Sequence, residues 1–484
     1  MEVDESRSLK KIFASCALLH FIAVIFCVGF YHFDEHFQIL EFLALKLGDA
    51  VPLNLTWEFH ERVRPWLQPA ISFLITKFFN VIGVHDRFFL AAIFRLISSL
   101  IGMGALYLTA LCAPLFLENK KSRKIFYWML ALTWFYPFLH ARHSADNWGA
   151  SLFIIALALN LILLKKRAGT MRENYLQFSH AFFIGLIFGL AFLVRFQIGI
   201  SIFCVYLWWL IIGKLEIKSG LMMTASLIVA LVLGIFVDSW GYQQFTFAPW
   251  NYLYADFILH VKGNHLPTPW YTYFVDSLRK GGGPIAGLFI TGVFCFWYRF
   301  RSDILTAATL PLFIIHSFIG HKELRFLMLI IYLAPIMSYR VWVSSDLKNK
   351  KWFSYLLKWT VGLNLIFLVS SIFTSANVAP LFYKKIDSLK IQKLYFMGED
   401  PYTMLGLPLT FWGSKIERVS LEGLESKEKD FWLATTKVEQ LDKISAYQCD
   451  AQYSIYPLNL VMQLPQKILR HSRIWVLHFC RGLR

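Results

Sequence analysis

Charge is what this sequence has least of. Asp, Glu, Lys and Arg supply 16% of its 484 residues, and the acids are the rarer sign, 31 against 48. Soluble domains carry roughly a quarter charged residues, so an ordinary soluble domain is excluded. Cysteine is sparse too, with seven in all. Cys16, Cys27, Cys112, Cys204 and Cys295 sit in apolar segments, where the thiol behaves as a small hydrophobe. Only Cys449 and Cys480 lie in a polar stretch, and they can pair if that stretch is outside the cytoplasm. No His, Cys and Asp cluster has clear metal-ligand spacing, so no metal and no other cofactor is expected. No small-residue cleavage site follows the first apolar run, which with Lys10 and Lys11 before it reads as a retained signal-anchor.

In place of charge the chain has apolar length. Hydrophobic residues make up 57% of it, 46 of them Phe, and the mean hydropathy is +0.51. Runs long enough to cross a bilayer as helix recur, which predicts an all-α polytopic membrane protein. About eleven spans are expected, over 12–30, 88–112, 125–139, 150–164, 181–196, 199–213, 221–238, 284–299, 304–320, 324–342 and 355–376. The stretch near 181–213 also reads as a broken pair or a re-entrant element.

A net charge of +17 suggests nucleic acid in a soluble protein. Here the basic residues cluster in short loops: Lys120, Lys121, Arg123 and Lys124; Lys165, Lys166 and Arg167; Lys348, Lys350 and Lys351. That pattern marks cytoplasmic loops, and nucleic acid is not implied. With a cytoplasmic N-terminus, residues 31–87, 140–149, 239–283, 321–323 and everything from 377 onward fall on the opposite side.

The first outer loop carries two apolar sets at helical spacing: Phe37, Leu40, Phe42, Leu43 and Leu47, then Trp66, Ile71, Phe73, Leu74, Phe78 and Phe79. Each predicts an amphipathic helix at the membrane interface. The loop 239–283 is rich in aromatics and ends in Gly281, Gly282, Gly283 and Pro284. The division expected is 1–376 as a transmembrane domain that includes the 31–87 loop, and 377–484 as a small extramembrane α+β domain. Lys393 to Met397 reads as a strand, and Ile468 to Leu483 as a basic amphipathic segment able to rest on the membrane.

Four outer-side groups bring ionisable residues together. They are Asp34 and Glu35 between His32 and His36; Trp57, Glu58, Glu61, Arg62 and Arg64; Arg142, His143, Asp146 and Asn147 with Arg195; and His321, Lys322, Glu323 and Arg325. A carboxylate can take a proton from an attacking hydroxyl while Arg and Lys neutralise a leaving phosphate. Each group also has a plainer explanation. Asp34 and Glu35 can cap a helix, Arg142, His143 and Arg195 can snorkel to headgroups, Trp57 can be belt packing, and His321 to Glu323 can be a solvated loop. Asn54, Leu55 and Thr56 match a glycosylation acceptor by chance at least as readily as by design.

Taken together, His32-Phe33-Asp34-Glu35 with Gln38 and Glu41, Leu55-Thr56-Trp57-Glu58, Glu61-Arg62-Val63-Arg64 with Pro69, and His321-Lys322-Glu323-Leu324-Arg325-Phe326 resemble glycosyltransferase family 22. These are GT-C fold mannosyltransferases that use dolichyl-phosphate mannose. The order of motifs is most similar to the subgroup that adds the third mannose of GPI anchors, as is the stretch from Asn251 to Phe274. Phe33 stands where the family usually has Pro, Thr268 to Tyr271 lacks a His common in the subgroup, and Gly398 to Pro401 replaces a Cys-His pair. These departures bear on the acceptor and leave the reaction class standing.

The resemblance implies inverting transfer from a polyprenyl-phosphate sugar donor to a hydroxyl of a glycolipid acceptor. Asp34 is the expected base and Glu35 an orienting acid. Lys322, Arg325, Arg195 and Arg142 are expected on the phosphate, with His32, Trp57, Glu58, Arg62, Arg64, His321 and Glu323 completing the substrate contacts. The compartment is the endoplasmic reticulum membrane for a eukaryotic protein and the inner membrane for a bacterial one. Two alternatives stay open: the same fold acting with another lipid-linked sugar on a bacterial glycolipid, and a transporter or flippase of lipid-linked solutes.

Overall fold

The computed structural model describes residues 3–167, 178–212, 215–257, 268–413, 415–423, 430–436, 447–465, 468–469 and 473–482. The chain begins with α1 (Val3–Phe26), the single turn α2 (Phe33–Glu35), α3 (Glu41–Leu47), α4 (Trp57–His60), α5 (Leu67–Val81) and α6 (Arg87–Cys112). Next come α7 (Lys120–Leu132), α8 (Phe135–His140), α9 (Ala145–Arg167), α10 (Phe178–Val194), α11 (Ile198–Ile211) and α12 (Ile217–Tyr242). α13 (Ala248–Phe257) and α14 (Thr272–Lys280) precede α15 (Pro284–Arg299), α16 (Ile304–Phe318), α17 (Met328–Ser344) and α18 (Lys351–Phe373). Beyond these, α19 (Ala379–Ser388), α20 (Thr410–Gly413) and α21 (Leu458–Val461) accompany seven strands.

Every apolar run named above is helical. Among the described residues six helices can cross a membrane by length and composition, and Phe178–Val194, Ile198–Ile211, Pro284–Arg299 and Ile304–Phe318 are shorter apolar helices. The run expected as one span at 125–139 is two helices, because the chain turns out of helical geometry at Thr133. Asn364 of α18 answers the exposed backbone there: its Nδ2 donates to Leu132 O at 2.7 Å and its Oδ1 accepts from Trp134 N at 3.1 Å. A broken helix in an apolar setting needs such a partner.

The described chain forms two compact units, one of Met1–Cys27, Glu61–Ala70 and Ile93–Thr374, the other of Val28–His60, Ile71–Ala92 and Ser375–Arg484. The first is a helical bundle around a large apolar core that includes Phe126, Phe153, Phe188, Trp209, Phe296 and Met337, beside a smaller one of Ala23, Val24, Leu368 and Ile372. Its α10 and α12 meet with almost no side chain between them. A Cβ at Gly185 would lie 2.2 Å from Met223 O, and one at Gly189 2.4 Å from the Ala230 Cβ, so this approach requires glycine.

The second unit is built on a five-stranded sheet in the order β4-β1-β5-β7-β6. Strands β1 (Lys393–Met397), β4 (Glu417–Ser420) and β5 (Asp430–Thr435) run parallel, and β7 (Val476–Gly482) is antiparallel to both β5 and β6 (Tyr447–Ser454). A two-stranded ribbon of β2 (Thr403–Met404) and β3 (Leu407–Pro408) completes it. Cys449 and Cys480 face each other across β6 and β7 and are disulfide-bonded.

Two sequence expectations are corrected here. Within the segment expected to rest on the membrane, residues 476–482 are instead the strand β7, with Val476, Leu477, His478 and Cys480 buried. An inner strand of a sheet, paired on both sides by β5 and β6, buries such residues in succession. Phe37, Phe42 and Leu43 are buried as well, and Phe37 packs in a core with Phe382, Tyr383 and Trp475. Their apolar face is covered by protein. By contrast Leu74, Phe78 and Val81 of α5 are exposed, as an interfacial helix requires.

Candidate functional site

In the second unit the acidic turn is held by its own side chains. His32 Nδ1 accepts from Asp34 N at 3.3 Å, and Glu35 Oε1 accepts from His32 N at 3.3 Å, forming a reciprocal capping box. Glu35, 8% exposed, therefore does the capping that the sequence offered to either acid. The Asp34 side chain is 20% exposed, with Oδ1 3.5 Å from His32 Nδ1. After Glu35 the helix widens into a π-turn over His36–Leu40, a distortion frequent at functional sites. His36 Nε2 lies 2.7 Å from Glu41 Oε1, which also accepts from Phe411 N at 2.9 Å, so the far end of the turn is pinned. Gln38 Nε2 donates to Glu58 Oε1 at 3.2 Å, bringing Glu58 to the same turn, and the adjacent Trp57 is exposed.

In the first unit a second constellation forms around Asp146, in the first turn of α9, where a carboxylate suits the helix dipole. Arg195 occupies the break between α10 and α11, and its Nε lies 3.0 Å from Asp146 Oδ1. Arg325 Nη1 lies 3.7 Å from Asp146 Oδ2, and Arg325 Nε also pairs with Glu323. His321 Nε2 is 2.7 Å from the other Glu323 oxygen. The Phe326 ring packs against both guanidinium groups, 5.5 Å from each. The positive charges of Arg325 and Arg64 act on Arg195. Lys322 is buried, with Nζ donating to Ile319 O at 2.7 Å and Thr268 O at 3.2 Å.

Arg195 is 6% exposed, yet its Nη2 has no hydrogen-bond partner among the described residues. Leaving a buried charged donor unsatisfied is costly, and an anionic oxygen at that position would satisfy it. Guanidinium groups around such a point suit bidentate recognition of phosphate.

Other expected residues lie apart from this cluster or have further duties. Arg142, buried, donates from Nη2 to Cys27 O and from Nε to Phe138 O at 3.3 Å, so it secures the carboxyl end of α1. His143 packs on Phe94, with Nδ1 3.0 Å from Ser98 Oγ. Burial pushes its pKa down to about 3, so it is neutral at pH 7 and is no cation for a phosphate. Arg62 has a φ of +55°, and its carbonyl accepts from Asn251 Nδ2 at 3.3 Å. Arg64 is held by its backbone to Tyr242. Sequence reading noted Asp146 without giving it a role, because nothing local shows that Arg195 and Arg325 converge on it. Asn147, beside it, is a strut: it donates to the carbonyls of His140 and Arg142 at 2.9 Å each and accepts from Tyr332 OH at 2.9 Å.

Comparison with known proteins agrees with the expected fold and family. The ArnT enzyme of Cupriavidus metallidurans, in its crystal structure with undecaprenyl phosphate, superposes with a TM-score of 0.58 at 11% identity over 97% of each chain. An Archaeoglobus fulgidus oligosaccharyltransferase gives 0.53 at 11% identity over 84% of this chain and 64% of its own. At such identity these show the fold, which is the GT-C fold expected above. In sequence, the chain is 24% identical to the mannosyltransferase APTG1 of Arabidopsis thaliana over 68% of this chain and 58% of that protein. It is 25% identical to GPI mannosyltransferase 4 of Saccharomyces cerevisiae over 69% and 65%. It is also 25% identical to GPI alpha-1,2-mannosyltransferase 3 of Bos taurus over 61% and 52%. The matched region thus spans between about half and two thirds of these relatives. Residues 11–403, which hold both the acidic turn and the arginine cluster, match the model of the Alg9-like mannosyltransferase family, and to that family this chain belongs.

Proposed function

We propose that this chain is a multi-pass membrane mannosyltransferase that moves mannose from a dolichyl or related polyprenyl phosphate to a hydroxyl of a glycolipid acceptor. The acceptor oxygen attacks the anomeric carbon of the β-linked donor, the bond from that carbon to the phosphate oxygen breaks, and the sugar is passed on with inversion. The hydroxyl proton goes to the Asp34 carboxylate, and the lipid phosphate leaves with the electron pair. Asp34 suits this role because it sits on a rigid turn and remains solvent-accessible, whereas Glu35 holds the turn closed. Arg195, Arg325, Arg64 and Lys322 serve the phosphate, and His321 and Glu323 orient Arg325 and the sugar. Arg142 acts from behind, on the end of α1. The observation that carries this reading is the buried Arg195 guanidinium with an unanswered N–H, set against Asp146 and beside Arg325. The relatives' names and the lipid phosphate bound to ArnT support the donor class.

About eleven spans, an endoplasmic reticulum location and a lumenal site complete the proposal. The Cys449–Cys480 disulfide supports it, since such bonds persist in oxidising compartments. The test is to incubate membranes carrying the chain with labelled dolichyl-phosphate mannose and identify the labelled product. Label in a glycolipid that disappears with Asp34→Asn is the expected result. Undiminished transfer by that variant would remove Asp34 from the role, and no transfer by the unaltered chain would refute the activity.

A further inference from the structure

The last turn of α12 contributes no group to the chemistry proposed above, yet it carries two polar side chains that bind the backbone of the Arg62–Trp66 segment. Asp238, 2% exposed in an apolar helix, accepts from Trp66 N at 2.8 Å through Oδ1 and also accepts from Ala248 N, at the start of α13. A carboxylate in such surroundings is expensive and is kept for a purpose. One turn later the Tyr242 hydroxyl donates to Arg64 O at 2.8 Å and accepts from Arg64 N at 3.3 Å, so a single oxygen binds both polar backbone atoms of this residue.

Packing fixes the segment from two further directions. A Cβ on Gly241 would lie 2.1 Å from the Trp66 ring, so the indole rests directly on the helix backbone. Asn251 of α13 donates to Arg62 O, at a residue whose φ of +55° is unfavourable for a side chain other than glycine. Strain of that kind persists where the surroundings over-determine it. The side chain delivered by this arrangement is Arg64, whose charge acts on Arg195.

We propose that Asp238 and Tyr242 are positioning residues that fix the backbone of the Arg62–Trp66 segment and with it Arg64, so that donor-phosphate recognition depends on the end of α12. This rests on the phosphate role assigned to the arginine cluster. The mechanism needs no charge on Tyr242 and no contact with substrate: the hydroxyl fixes the Arg64 backbone, and through it where the guanidinium points. A misplacement of about 1 Å can cost up to a hundredfold in rate.

The test is a double-mutant cycle on the full-length protein, measuring mannose transfer while donor and acceptor concentrations are varied separately. Tyr242→Phe, which removes one oxygen, is expected to raise the donor KM roughly tenfold and leave the acceptor KM unchanged. In an Arg64→Ala background the same change is expected to do nothing further. Asp238→Asn, which can still accept one backbone hydrogen bond, should fall between wild type and Asp238→Ala in donor KM. Equal effects of Tyr242→Phe with and without Arg64 would overturn the inference, as would an unchanged donor KM or an equal rise in both KM values. A wild-type protein that transfers no mannose would refute the underlying reading and this inference with it, and is distinguishable because no variant is then needed.

Discussion

Asp146 is the carboxylate shared by Arg195 and Arg325, so Asp146→Asn separates the architecture of the cluster from its use. The Arg195 Nε to Asp146 Oδ1 distance is 3.0 Å, and both side chains are 7% exposed. At an effective dielectric of about 20, a pair at that distance interacts by roughly 5 kcal/mol, and removing one partner of a buried pair costs about 3–5 kcal/mol. Asparagine keeps an acceptor oxygen, so the lower end, about 3 kcal/mol, is expected. The uncompensated arginines then repel each other more strongly, and an added anion gains what the carboxylate has given up. Thermal unfolding in detergent, followed by tryptophan fluorescence, should show a lower midpoint for the variant. Dolichyl phosphate should raise that midpoint further than it raises the wild-type one. A variant as stable as wild type, or one that dolichyl phosphate stabilises no better, would refute the assignment of this cluster to phosphate.

Three other substitutions test single roles. Glu35→Gln keeps an oxygen to accept from His32 N, so it should preserve most transfer in the assay in which Asp34→Asn abolishes it; equal losses would mean that the two acids share one function. Lys322→Ala removes a buried ammonium worth about 1.5–3 kcal/mol in charged hydrogen bonds and should weaken donor use some 10- to 100-fold with the acceptor KM unchanged, read from initial rates. His478 in β7 is buried, with neither ring nitrogen hydrogen-bonded among the described residues, and burial pushes its pKa down to about 4. The unfolded chain therefore binds the extra proton between about pH 4 and pH 6.5, and stability is full above that window and falls as pH drops through it, by up to about 3 kcal/mol. His478→Gln should flatten the acid sensitivity of proteolysis within 375–484, and an unchanged pH profile would refute that account.

Periodicity made the helices legible because a bilayer leaves few alternatives to helix, and every apolar run is one. Length alone did not reveal the break at Thr133, since the residue that satisfies it, Asn364, lies 230 positions away from Trp134. The same limit hid the fate of Phe37: a helical apolar face shows that something covers it, and here that is protein from beyond residue 375. For the acidic turn, the structure gives the capping reading to Glu35, and the functional reading of Asp34 stays a proposal. His32 at the N-cap and Glu35 at the third position spell the capping box locally, which leaves Asp34 as the carboxylate without a capping duty. The arginine cluster was legible as residue types and not as a set. Arg195, between α10 and α11, and Arg325, just before α17, are brought to one carboxylate from distant parts of the chain, and sequence spacing does not encode that.

In a chain so short of charge, how each buried ion is matched separates structure from function. Arg123 has Glu5, with Nε 2.6 Å from its carboxylate, and Arg340 has Asp303 at 2.6 Å, enclosed by the rings of Phe116, Phe296 and Phe300. Each of those carboxylates serves a single arginine, and such closed pairs need nothing from outside. Asp146 instead divides its two oxygens between two guanidinium groups, and one of them has a buried N–H with no partner among the described residues. Selection for stability alone would have closed that gap with a second acid or replaced the arginine with an apolar side chain, since breaking even with hydrophobic packing is the usual fate of a buried pair. A buried guanidinium N–H left open at low dielectric gains more from an anionic oxygen than one exposed to water does, and that difference is what the proposed phosphate-linked donor would draw on.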